Sequence, residues 1–215
     1  MLIFNKKMKK LVIAIDGPSA SGKGTLAKKI AAHFGLAYLN TGAIYRLAAL
    51  RVVERGIDPN NFEEKISELT KNISESDLEN EKLFGEDVGA VASVIAKNTK
   101  LRAALFAFQK DFIAKGMAEK NGCVLDGRDT TTVICPDADH KFFVTADVEI
   151  RAQRRFKQLQ NVPYEEILAQ LKKRDDNDLN RADSPLKVAE GAVVIDNGKL
   201  NIEESFQKVL TTINS

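Results

Sequence analysis

Nine residues near the start of the chain, Gly17, Pro18, Ser19, Ala20, Ser21, Gly22, Lys23, Gly24 and Thr25, have the types and order of a phosphate-binding loop. They follow an apolar run at 11–15 and open a helical pattern at 26–34. Glycines let the backbone curl so that successive amides point at one anion. The helix that follows aims its positive dipole end at the same point. Lys23 has the reach to meet terminal phosphates, and a nearby hydroxyl can bind magnesium. The hydroxyl usually stands directly after the lysine. Here that place is Gly24, and Thr25 comes one step later. A plain glycine-rich turn is the alternative, but the two glycines, the lysine and both flanking elements agree on the loop.

Three further clusters can do related chemistry. Asn40-Thr-Gly-Ala-Ile-Tyr-Arg46 follows the second apolar run and falls at the carboxyl edge of a sheet, where open α/β folds bind ligands. Thr41 is either a helix cap or a site residue, and Arg46 is either solvated or a second phosphate clamp. Val124-Leu-Asp-Gly-Arg-Asp129 ends a buried strand in two acids and an arginine, costly unless used or paired. Asp126 can hold magnesium through water and Arg128 a substrate phosphate; an internal Arg128–Asp129 pair is the bland alternative. Arg151, Arg154 and Arg155 share one helix face by spacing, and Arg174-Asp-Asp-Asn-Asp-Leu-Asn-Arg181 follows. A solvated basic face is the ordinary reading. Their place after a sheet strand favours arginines that offset charge on a transferring phosphoryl group.

The elements that must carry these clusters alternate between apolar runs and helical patterns, which predicts a parallel sheet covered on both faces. Strands are expected at 11–15, 37–40, 123–126, 141–145 and 192–196. Helices are expected at 23–34, 42–54, 88–97, 101–119, from Asp147, from Pro163 to about Asp175, and at 202–213. The stretch 74–85 is acidic and reads as loop. The span from about 57 to 100 is poorest in strand signals and reads as an insertion standing off the sheet.

Composition bounds the rest. The 215 residues fit one α/β domain with small insertions, and 44% hydrophobic content suffices for a full core. A formal net charge of +2 argues against a nucleic-acid coat. No run reaches a membrane span, and the basic start lacks the features of a signal peptide; it reads as a short extension, with Met8 an alternative start. Cys123 and Cys135 read as reduced thiols of a cytoplasmic protein. Two histidines, His33 and His140, are too few and too far apart for a histidine metal site.

No general base is evident, and none is required if the acceptor is itself a phosphate. That points to a nucleoside monophosphate as acceptor rather than a sugar. The four clusters together resemble the bacterial cytidylate kinase family over nearly the whole length, through Ile15–Thr25, Thr41–Arg46, Asp126–Asp129 and Lys173–Arg181. The resemblance implies an α/β P-loop three-layer fold with a five-stranded parallel sheet, a helical insertion and a small lid. Core would occupy 1–56, 101–147 and 163–215, a CMP-binding insertion 57–100, and a lid 148–162.

The implied reaction is ATP plus CMP or dCMP giving ADP plus CDP or dCDP, with Mg2+. By position, Ser93, Arg102 and Asp129 would read cytosine, and Asp178 would take the sugar hydroxyls. Arg46, Arg128 and Arg181 would bind the CMP phosphate, joined by Arg174, with Thr41 beside them. Lys23, Arg128, Arg155 and Arg174 would be catalytic, and Arg151, Arg154 and Arg155 would form the lid. Thr25, and Asp126 through water, would hold the metal. The expected partners are nucleotides alone, with no nucleic acid, no membrane and a monomeric chain. The family departs from this chain in a longer stretch before Gly85–Val88 and in an Ile/Met-Gly-Thr pattern where Thr130-Thr-Thr stands. Another P-loop kinase, acting on UMP or AMP, is the runner-up. A GTPase switch would carry an Asn-Lys-x-Asp signature, which the chain lacks. Without ligand, the lid arginines are expected to repel one another and hold the site open.

Overall fold

The computed structural model describes residues 10–159 and 162–215. The basic start with Met8, and residues 160–161 of the expected lid, lie outside the described residues. Five strands form one sheet: Leu11–Asp16 (β1), Ala37–Asn40 (β2), Gly122–Gly127 (β3), His140–Thr145 (β4) and Val193–Asp196 (β5). Their spatial order is β2-β3-β1-β4-β5, and every neighbouring pair is parallel. Parallel strands need crossovers, and the helices that make them cover both faces. The sheet is therefore apolar through its depth, with Ile13, Ile15, Val124, Leu125, Phe142 and Val144 fully buried.

Each face has its own core. Helices Lys23–Phe34 (α1) and Ile202–Asn214 (α8) bury Leu26, Ile30, Phe206 and Val209 against one face. Helices Thr41–Glu54 (α2), Ile66–Thr70 (α3), Glu86–Ile95 (α4) and Thr99–Glu119 (α5) cover the other, through Ile44, Leu47, Leu69, Ile95, Leu101 and Leu105. A third, smaller cluster joins helices Val148–Gln158 (α6) and Tyr164–Asn180 (α7) through Ala152, Ile167 and Leu171.

The helix ends follow the capping chemistry of their sequences. Asn40, Asn98, Asp147 and Asn201 each accept a backbone N–H of the helix that follows. Asn201 and Glu204 complete a capping box on α8. Between residues 57 and 100 there is no strand. The acidic stretch expected as loop contains two tight 3-10 turns, Ser76–Glu79 and Glu81–Phe84, because Asp77 and Asn80 cap them and Leu83 is fully buried. Helix α7 runs five residues past its expected end at Asp175.

Candidate functional site

The strand order reverses beside β1, which opens a crevice at the carboxyl ends of the strands. Residues 17–25 curl there between β1 and α1. A side chain at Gly17 would place its Cβ 2.0 Å from the Val144 carbonyl oxygen, so only glycine fits against β4. Gly22 caps α1 with φ of 89°, in the left-handed region that glycine tolerates. Ala20 is also left-handed, at φ of 59°, a strained conformation for a residue with a Cβ. Lys23 is 9% exposed, and its Nζ donates to the Pro18 carbonyl at 3.2 Å, folding back over the loop. Burial, and then the charge of Arg128, push its pKa down to about 7; Asp126 opposes this. A triphosphate arriving in the loop would hold the proton on Lys23.

Every residue expected to bind the acceptor lines one cavity of about 640 Å³: Thr41, Arg46, Ser93, Arg102, Arg128, Asp129, Arg174, Asp178 and Arg181. Tyr45 and Ser19 complete its wall. These residues come from the ends of strands and from four helices, separated by up to 140 positions in sequence. Thr41 is not the cap of α2. Asn40 fills that place, and the Thr41 hydroxyl donates to the Asp126 carbonyl at 3.0 Å. Arg46 donates to the Leu83 carbonyl at 2.7 Å; burial, and then the Arg174 charge, lower its pKa to about 10, which leaves it charged at neutral pH.

The acids of the cavity choose distant partners. Arg128 and Asp129 do not pair with each other. Arg128 Nε donates to Asp178 at 2.6 Å, and Asp129 is bound by Arg102 in a pair with both side chains under a tenth exposed. Asp183 lies 3.4 Å from the other side of Arg102. Arg181 Nη2 is buried, has no hydrogen-bond partner, and stands 3.8 Å from Asp129. An unsatisfied guanidinium nitrogen on a cavity wall is costly unless a ligand meets it.

The lid arginines are not a bare cationic face. Arg151 is buried; it forms a two-pronged pair with Asp175 at 3.1 and 2.5 Å and donates to the Ser19 and Ala146 carbonyls. Arg154 donates to the Asn197 carbonyl at 2.5 Å. Arg155 meets Glu86 at 2.5 Å, as does Arg174 at 2.8 Å. The expectation of mutual repulsion fails, because each charge has found an acid or a carbonyl supplied by another element.

The model of the cytidylate kinase family matches residues 13–215. The chain belongs to the cytidylate kinase family. A cytidylate kinase of Rhodopseudomonas palustris is 44% identical over 209 residues, covering 95% of this chain and 96% of that protein. One of Azorhizobium caulinodans is 45% identical over 208 residues, covering 94% and 98%. Among solved structures, an uncharacterized protein of Eubacterium ventriosum aligns with a TM-score of 0.58 at 17% identity, covering 96% of this chain and 99% of that one. A sugar kinase from Janibacter aligns with a TM-score of 0.52 at 15% identity, covering 95% of both chains. These two resemblances carry the fold alone. It is an α/β kinase fold on a five-stranded parallel sheet.

Within this family frame, three site residues escaped the sequence reading. Asp16, the last residue of β1, is fully buried and accepts four hydrogen bonds, from the amides and hydroxyls of Thr130 and Thr131 at 2.5–2.9 Å. Burial nonetheless raises its pKa above the ordinary carboxylate value. The turn that follows Asp129 is thereby tied to the root of the phosphate loop. Asn197, just past β5, donates to the Ser21 carbonyl at 2.8 Å and braces the loop from behind. Tyr38 donates to the Asp126 carboxylate at 2.8 Å and orients it beside Gly24. The tyrosine and asparagine gave no signal, but Asp16 could have been found: an acid that ends an otherwise apolar strand needs a partner.

Proposed function

We propose that the chain transfers the terminal phosphoryl group of ATP to CMP or dCMP, giving ADP and CDP or dCDP. The single observation that carries the acceptor assignment is the shared cavity. It sets five arginines and a threonine hydroxyl beside a buried Arg102–Asp129 pair next to the phosphate loop. Cytosine offers an amino donor beside acceptors. Asp129 is suited to accept from the amino group, while Arg102 and Ser93 donate to the acceptors. Asp178 would take the sugar hydroxyls and keep Arg128 in place. Arg46, Arg128 and Arg181 would hold the acceptor phosphate, and Arg174 would join them where donor and acceptor meet.

In this reading the loop amides of 17–25 cradle the donor phosphates, and Lys23 neutralises charge that grows on the transferred group. Arg155 approaches the same point from α6. Among the described residues no three acidic, cysteine or histidine side chains cluster as a self-sufficient metal site. The donor set fits a magnesium ion held mostly by phosphates, with the exposed Thr25 hydroxyl and the buried Asp126 carboxylate as its protein side. When bound, magnesium would bridge phosphate oxygens and offset their charge. The residues then have three tasks: to align the two phosphates, to supply cations, and to exclude water that would otherwise take the phosphoryl group.

The proposal divides the chain into core (1–56, 101–147, 163–215), an acceptor-binding insertion (57–100) and a lid (148–162). It takes the working form to be a cytoplasmic monomer. Among the described residues no helix is long and apolar enough to cross a membrane. The test is an acceptor screen with ATP and magnesium. CMP and dCMP should be used at least tenfold more efficiently than UMP or AMP; equal or better use of UMP or AMP would refute the acceptor assignment.

A further inference from the structure

Glu86 opens α4, at the head of the expected insertion, and its carboxylate reaches two arginines on two other elements. Oε1 accepts from Arg155 of α6 through Nη2 at 2.5 Å and Nε at 3.2 Å. Oε2 accepts from Arg174 of α7 at 2.8 Å. Among the described residues neither arginine has another acid within 4.0 Å. All three side chains line a cavity of about 530 Å³ whose wall includes Arg46 and the loop residues Ser19 and Ala20. The carboxylate is therefore in the space between loop and lid, and about a quarter of its side chain is exposed.

A carboxylate with one oxygen on each of two guanidinium groups presents what a phosphate presents: two anionic oxygens in fixed directions. Removed from that place, it would leave Arg46, Arg155 and Arg174 with their charges mutually unfavourable, and these groups already lower one another's proton affinity. A brace meant only to join helices would gain nothing from standing inside the cavity. Gly89, one turn on, leaves the space that the arginines need. A Cβ there would lie 2.6 Å from Arg174 Nη2 and 3.0 Å from Arg46 Nη2.

We propose that Glu86 is an internal stand-in for the acceptor phosphate: it holds Arg155 and Arg174 in place in the ligand-free protein and yields them when a phosphate arrives. The inference rests on the proposed function for which phosphate arrives, but not for its own test. Glu86 acts through the two arginines and is a positioning residue. Its presence makes the acceptor compete with an attached anion, which weakens ground-state binding and keeps the arginines oriented.

The experiment compares the parent with Glu86→Gln and Glu86→Asp, using inorganic phosphate and CMP as separate probes in calorimetry, and hydrogen exchange of α6 without ligand. Glu86→Gln keeps the shape and loses the competing charge. It should bind both probes about tenfold more tightly, and its ligand-free α6 should exchange faster. Glu86→Asp, shorter by one methylene, should move both readouts the same way by less, and it serves alone if the glutamine variant does not fold. Weaker binding of phosphate in either variant would overturn the proposal, because it would make Glu86 part of the bound state. Unchanged affinity and unchanged exchange would overturn it too. Failure of the functional reading looks different: the parent would not phosphorylate CMP, while the phosphate and exchange results would still stand.

Discussion

Lys23 makes a prediction in which stability and activity move in opposite directions. The lysine is nearly buried, and burial brings its pKa from 10.5 down to about 7. Such a displacement corresponds to about 4–5 kcal/mol against the charged form. The sign follows from which state holds the proton. Below about pH 7 both the folded and unfolded chains carry it, and the folded state bears the whole penalty. Between about 7 and 10.5 the folded chain releases the proton while the unfolded chain keeps it, so stability rises with pH.

Lys23→Met keeps the length of the side chain and removes the charge. At pH 7 the variant should be more stable than the parent by about 1–4 kcal/mol, the range seen when buried charges give way to apolar groups. For a chain of this size that is about 3 °C of melting temperature per kcal/mol. The advantage should shrink by about 1–2 kcal/mol between pH 7 and pH 8.5 as the parent sheds its proton. Phosphotransfer to CMP should fall by about a hundredfold or more. Denaturant melts of both proteins at four pH values, with a coupled ADP assay, provide the readouts. A variant less stable than the parent at pH 6, or a stability difference flat in pH, would refute the burial argument. Turnover within about tenfold of the parent, equivalent to ~1.4 kcal/mol, would refute the assigned role.

Three further outcomes are expected. Asp129→Asn should lower the CMP-to-UMP ratio of kcat/KM at least tenfold, since uracil replaces the amino donor with a carbonyl; an unchanged ratio would remove Asp129 from base recognition. Thr131→Val deletes one of the four donors to Asp16 without changing shape, and denaturant melts should show a loss of about 1.5–3 kcal/mol; a loss under about 0.5 kcal/mol would mean that the buried carboxylate does not depend on it. Cys123 and Cys135, buried and pushed up to about 11 and 12 by that burial, should resist a disulfide reagent at pH 7.5 in the folded protein and both react in denaturant. Fast labelling of either in the native state would contradict their packing.

The framework was legible in the sequence because its signals are local. A change from strand to helix period across two glycines and a lysine locates β1, the loop and α1 within a residue. All five strands were read for the same reason, since buried parallel strands stand out as short apolar runs. The end of α7 was misplaced because Arg174-Asp-Asp-Asn-Asp178 reads locally as a solvated, helix-poor run. In the fold three of those side chains have remote partners: Glu86 for Arg174, Arg151 for Asp175 and Arg128 for Asp178. Those tertiary pairs outweigh the weak helix propensity and carry the helix to Asn180. The turns in 74–85 were missed for a related reason, because their one buried anchor, Leu83, sits among charged neighbours.

The pairing of charges was the part that sequence could not carry. Arg155 and Glu86 stand 69 positions apart, and Arg174 and Glu86 stand 88 apart. No spacing rule spans such separations. The consequence reaches the reading of mutants. A site built to hold phosphates concentrates cations, and a folded chain without ligand must balance them from within. Asp129, Asp178 and Glu86 provide that balance here, each bound to an arginine of the cavity. Asp129 and Asp178 are also the acids proposed to touch the base and the sugar. Changing either one removes a ligand contact and strands a buried arginine at the same time, so lost activity alone cannot separate the two effects. The acceptor ratio can: stranding Arg128 or Arg102 weakens every acceptor alike, whereas a lost base contact changes the order among them.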